Sequence, residues 1–160
     1  MKEMLLIVLC SLLAACGFQL RGTASLPFET LYISAPRGNL IGPELKRAIQ
    51  NGSSTLVIDK SQDAEATLEI ISARETKNIS SISGGGRVLE FQLHYRVSFR
   101  LTDAKGQELM PTSQVDISRI IPFSNAQVLA KQAEERMLVR EMRSDAIQQT
   151  MRRLAKVQHQ

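Results

Sequence analysis

Two cysteines, two histidines and a surplus of basic side chains are what this 160-residue chain offers as chemistry. Cys16 follows directly on Leu13-Ala14-Ala15, so a thiol stands behind two small residues at the end of an apolar run. His94 falls on the polar side of an alternating segment and His159 lies close to the C-terminus, so neither a metal cluster nor a nucleophile and base pair can be built around them. No enzyme is expected. Gly84-Gly85-Gly86 is followed neither by a lysine-serine pair nor by a helix, which makes it a flexible hairpin tip rather than a phosphate loop. What remains is cationic: Arg87 at the root of that tip, Arg96 and Arg100 on the polar side of the same segment, and Lys131 further on. Each alone is most often a solvated charge. Together, in a chain of net charge +4 and pI near 9.3, they suit an anionic partner, and their ammonium and guanidinium groups pair well with phosphate.

The N-terminus says in which compartment to look for that partner. Leu5 to Leu13 is about nine apolar residues, too short for the roughly 20 that span a bilayer but right for the core of a signal peptide. Its end, Leu13-Ala14-Ala15-Cys16, resembles the lipobox at which a signal is cut and the new N-terminal cysteine acylated. This divides the chain into a signal peptide (1–15), a lipidated tether (16–27) and one domain (28–160). Removing Lys2 and Glu3 leaves the net charge unchanged, and lipid on Cys16 leaves no cysteine to form a disulfide. The covalent diacylglycerol and fatty acyl groups are the only non-protein component expected. At about 0.8 kcal/mol per buried CH₂, more than one chain would hold the domain on a membrane. In the lipoproteins that this lipobox resembles, a residue such as Gly17 rather than Asp after the cysteine goes with sorting to the outer membrane. Export excludes nucleic acid as the partner.

The cations need elements to position them. From Phe91 to Leu101, apolar Phe91, Leu93, Tyr95, Val97, Phe99 and Leu101 alternate with polar residues, the pattern of a strand with one dry face. Extended from Val88 to Leu101 this strand would be about 46 Å long, and a helical pattern from Ser124 onward, spanning about 50 Å, is the one element long enough to cover it. Ser124 with Gln127 reads as a capping box and Phe123 as its staple to Val128. Ala126, Leu129, Ala133 and Met137, continued by Ile147, Met151 and Leu154, form the expected core stripe, whereas Leu138, Met142 and Ala146 make a second row, either part of a wide buried face or a docking surface. Glu29 to Ser34 reads as a strand, Leu40 to Gln50 as a short helix with Pro43 in its first turn, and Thr55 to Asp59 as a brief strand. Thr67 to Lys77, with Leu68, Ile70 and Ser72 inward, pairs with the long strand through a mobile connection from Ser80 to Gly86; Val115, Ile117, Arg119 and Ile121 close the sheet. The class is α+β, a two-layer sandwich of about four mostly antiparallel strands covered by one short and one long helix.

Several of these segments are similar to one family. Cys16-Gly17-Phe18-Gln19-Leu20-Arg21-Gly22, Glu90-Phe91-Gln92-Leu93, Arg119, Leu129-Ala130-Lys131, and Val139-Arg140-Glu141-Met142 with Asp145-Ala146 and Arg153-Leu154 resemble, in order and spacing, the lipopolysaccharide-assembly lipoprotein family LptE. The resemblance implies a sandwich lodged one-to-one inside the LptD β-barrel of the outer membrane, where it plugs and helps assemble the barrel and contacts lipopolysaccharide. Lys131 falls where the family carries a basic residue linked to lipopolysaccharide. The second such position is in the hairpin loop, where this chain has Gly84 and offers Arg87 three residues later. A lipid-anchored adaptor of another envelope complex, docking through the Leu138, Met142 and Ala146 row, is the competing expectation.

Overall fold

The computed structural model describes residues 26–123 and 128–157. In chain order the elements are β1 (Thr30–Ser34), α1 (Ile41–Gly52), β2 (Leu56–Ile58), β3 (Ala66–Ile82), β4 (Val88–Asp103), β5 (Glu108–Pro122) and α2 (Val128–Leu154). The strands form one sheet in the order β2-β1-β3-β4-β5, five strands rather than about four. β1 runs parallel to β2 and β3, while β3, β4 and β5 form a long antiparallel meander. The signal segment, Cys16, the tether up to residue 25, and Ser124, Ala126 and Gln127 lie outside the described residues, as do the side chains of Val128 and Leu129.

Alternation in β4 is realised as the sequence predicts. Leu93, Tyr95, Val97, Phe99 and Leu101 are buried under the helices, and Arg96 and Arg100 are exposed on the opposite face. The β3 alternation breaks. Ile70 pairs with Phe99 but Ser72 with Ser98, so Ile71 is an inserted residue. A bulge of this kind reverses the parity of everything after it. Ala66, Leu68 and Ile70 point to the core, after which Ala73, Glu75, Lys77 and Ile79 take over the helix side, opposite Val97, Tyr95, Leu93 and Phe91. Ser72, expected inward, therefore faces outward beside Ser98.

The β3–β4 turn is tighter than the sequence suggests. β3 runs on through Ile82, so Ser80 and Ser81 are strand rather than connection. The turn closes with Ser83 N–H donating to the Arg87 carbonyl at 2.8 Å and Gly86 N–H to the Ser83 carbonyl at 2.9 Å. Gly86 sits at φ +76°, a left-handed conformation that costs other residues roughly 1–2 kcal/mol. At the far end Asp103 organises the β4–β5 turn by accepting the N–H groups of Lys105 and Gln107 on Oδ1. Pro111 lies inside β5, as an edge strand allows.

The long helix is rotated from the expected orientation. Ala133 and Met137 are exposed, whereas Met142 and Ala146 are buried and Leu138 packs against the core. The row that could have been a docking surface is thus the core-facing one. It continues through Thr150 and Leu154, joined by the expected Ile147 and Met151, and toward the helix start its side passes through Lys131 and Glu135. α1 closes the other half of the core with Leu45 and Ile49, and is held to α2 by Arg143 Nε donating to Glu44 at 2.8 Å.

Candidate functional site

Where α2 begins, its inward side meets the sheet through charges instead of apolar residues. Lys77 Nζ, on the helix side of β3 because of the bulge, pairs with Glu135 at 2.6 Å and stands 4.4 Å above the centre of the Phe91 ring. Phe91 in turn meets Phe123 edge-to-face, with centroids 5.3 Å apart at 85°. Lys131 pairs with Glu134 one turn along at 2.8 Å. Lys77, Phe91, Phe123, Lys131 and Glu135, with Ile121, Pro122 and Gln132, surround a cleft of ≈ 150 Å³. Its floor is aromatic and its rim carries two ammonium groups. Toward the glycine turn the apolar surface stays open, with Ile79, Leu89 and Phe123 58%, 48% and 41% exposed.

Such an arrangement suits an amphiphile whose anionic head sits beside apolar chain. The ion pairs at the rim do not block that use. Pairs this exposed are worth at most about 1 kcal/mol, so a phosphate can take either lysine from its glutamate at small cost.

The sequence-derived cations do not converge. Lys131 alone lines the cleft. Arg87 lies exposed at the hairpin tip, its backbone N–H donated to Ser83 Oγ at 3.2 Å, beside Gly84, Gly85 and Gly86. Arg96 and Arg100 occupy the outer face of the sheet, each held by a cross-strand carboxylate. Arg100 pairs with Glu69 at 2.7 Å, and Arg96 with Asp116 at 2.7 Å. His94 Nδ1 lies 3.1 Å from the other oxygen of Asp116. Burial alone would raise the Asp116 carboxyl, but hydrogen bonds from Arg96 and His94 and their charge outweigh it and hold it below its ordinary value. Among the described residues no group of three or more His, Cys, Asp or Glu is placed to hold a metal ion, and no helix is long and apolar enough to cross a membrane.

Lys77, Glu135, Phe91 and Phe123 are the members of the cleft that sequence reasoning missed as a group. Phe91 is assigned to the dry face by the alternation of its strand, as the structure has it. Lys77 could not be, because only the Ile71 bulge carries it there.

Comparisons with known proteins converge. A family model described as "LptE: Lipopolysaccharide-assembly" matches residues 28–154. An LPS-assembly lipoprotein LptE of Yersinia pestis (strain Pestoides F) is 32% identical over 147 residues, covering 90% of this chain and 70% of the relative. The solution structure of lipoprotein B from Nitrosomonas europaea superposes with a TM-score of 0.78 at 45% identity, covering 87% of this chain and 90% of its own. The crystal structure of rare lipoprotein B from Shewanella oneidensis gives 0.61 at 26% identity, covering 76% and 92%.

Proposed function

This chain belongs to the LptE lipopolysaccharide-assembly family, and from that premise we propose that it is an outer-membrane lipoprotein which binds lipopolysaccharide and partners the LptD β-barrel. Cys16, acylated after removal of residues 1–15, is the anchor. The relatives' names support lipoprotein character and a part in lipopolysaccharide assembly, and Gly17 after the cysteine supports the outer membrane. The observation that carries lipid binding is the cleft in which Lys77 stands over Phe91, Phe123 meets that ring edge-on, and Lys131 lines the rim.

The work asked of the protein is binding and placement rather than catalysis. In this reading the lysines hold a lipid A phosphate by charge-assisted hydrogen bonds while acyl chain lies along Phe91, Phe123 and the exposed Ile79 and Leu89. The hairpin beyond the cleft carries Arg87 as a further phosphate contact. Arg96 and Arg100, tied to carboxylates on the other face, contribute less.

The test is to isolate the tagged, full-length chain from outer membranes in mild detergent and identify what co-purifies. A large β-barrel in one-to-one ratio supports the partnership. Recovery with no barrel, or release of the chain from membranes by salt alone, would overturn it.

A further inference from the structure

β3 is long, and β1 covers only its first residues, Ala66–Glu69. From Ile71 to the hairpin the other side of β3 has no strand partner among the described residues. One hydrogen bond fixes which backbone groups face that opening: Asn39 Nδ2 donates to the Ala73 carbonyl at 2.9 Å. Ala73 therefore directs its carbonyl away from β4, and with the period of two so do Glu75, Lys77 and Ile79, each presenting one N–H and one C=O. Arg74 through Ser80 are all exposed. Beyond Ala73, where Asn39 sits, an edge without proline and uncovered among the described residues is a template for another strand.

Beside the edge runs a groove of ≈ 630 Å³ whose floor includes Leu40 and Val139 and whose α2 wall carries Arg136 and Arg140. These two arginines make no ion pair among the described residues, whereas Lys77 and Arg143 in the same groove are neutralised by Glu135 and Glu44. A strand added to β3 would send alternate side chains, those opposite Glu75 and Lys77, toward the helix and over this groove. Apolar residues there would meet Leu40 and Val139, and acidic ones the free guanidinium groups.

We propose that the open β3 edge at Glu75, Lys77 and Ile79, together with the groove walled by Arg136 and Arg140, docks an extended acidic peptide segment of a protein partner by strand addition. This surface shares Lys77, Gln132 and Glu135 with the rim of the lipid cleft but none of its aromatic floor, and because it is argued from the backbone edge and from Arg136 and Arg140, the inference stands whether or not that cleft binds lipid. The backbone edge favours a peptide over a lipid headgroup, because a headgroup has no use for a row of alternating donors and acceptors.

The probe is a capped nine-residue peptide of alternating Val and Asp, titrated into the full-length chain in neutral detergent. Amide hydrogen exchange and fluorescence anisotropy are read together. Saturable binding is expected, with slowed exchange at Glu75, Lys77 and Ile79. The Lys-for-Asp peptide should bind about tenfold or more weakly, and so should the parent peptide after the double reversal Arg136→Glu, Arg140→Glu. Glu75→Pro removes an edge N–H that β4 does not use and should weaken binding by a similar factor. N-methylation of alternate peptide amides gives the same answer with the protein untouched, so a misfolded variant cannot hide the result. Undetectable binding, protection elsewhere, or affinity indifferent to both Glu75→Pro and N-methylation would overturn the proposal. So would anionic lipid vesicles that compete fully while both backbone perturbations have no effect, an outcome that assigns the groove to a headgroup.

Discussion

Met137 and Met142 sit on the same helix, carry the same side chain and differ only in direction. Five residues at 100° each turn the helix by about 140°, which sends one side chain to solvent and the other to the core. Met142 is 1% exposed and packs into the cluster with Ala146 and Val97, while Met137 is 53% exposed. Met142→Ala deletes buried atoms and leaves a cavity the sheet cannot collapse to fill, a loss of about 2–5 kcal/mol. Met137→Ala changes a surface position and should stay within about 0.5 kcal/mol of the parent. For a domain of this size each kcal/mol moves the midpoint by about 3–5 °C, so the first variant should melt on the order of 10 °C lower and the second within about 2 °C. Thermal melts followed by far-ultraviolet circular dichroism at matched concentration provide the comparison. Equal losses, or a larger one for Met137→Ala, would refute the helix rotation and with it the cleft, because the same rotation brings Lys131 and Glu135 to face β3.

Other perturbations test separate parts of the structure. Glu44→Ala leaves Arg143, whose side chain is only 13% exposed, without its partner between the helices, and should cost about 1–3 kcal/mol; a double-mutant cycle with Arg143→Ala should show coupling well above the surface-pair range. Gly42→Ala, which helix propensity alone would favour, should destabilise, because the added Cβ would lie 2.8 Å from that of Ala35; urea unfolding is the measurement. Asp116 has a folded value below its ordinary 3.8, so its contribution is present above about pH 4 and is lost as pH falls through the lower folded value. Asp116→Asn should therefore flatten the acid limb of the stability profile and leave the alkaline limb unchanged.

How much of this was legible beforehand depended on local regularity. β4 could be read residue by residue because nothing interrupts its alternation, and the short helix and its proline followed from spacing. β3 could not, since one inserted residue, Ile71, exchanges its faces and no composition signal marks it. The start of α2 misled for a related reason. Its inward side there carries Lys131 and Glu135, so a search for apolar stripes selects Ala133 and Met137, which face solvent. The departure from a continuous apolar stripe coincides with the candidate site, as expected where binding rather than packing selects the residues. Among the cations, Lys131 stands out with the others by charge and again by resemblance, Lys77 is hidden by the bulge, and Arg96 and Arg100 are correctly placed on the polar face without any sign that Glu69 and Asp116 occupy them.

The most direct measurement is the affinity of the full-length chain for lipopolysaccharide, with Lys77 and Lys131 both changed to Glu and, separately, with Arg96 and Arg100 both changed to Glu. The account predicts that the first pair weakens binding by about tenfold or more and makes what remains less sensitive to salt, while the second pair has a much smaller effect. Equal losses, or a loss confined to Arg96 and Arg100, would contradict it and move the lipid contact to the outer face of the sheet.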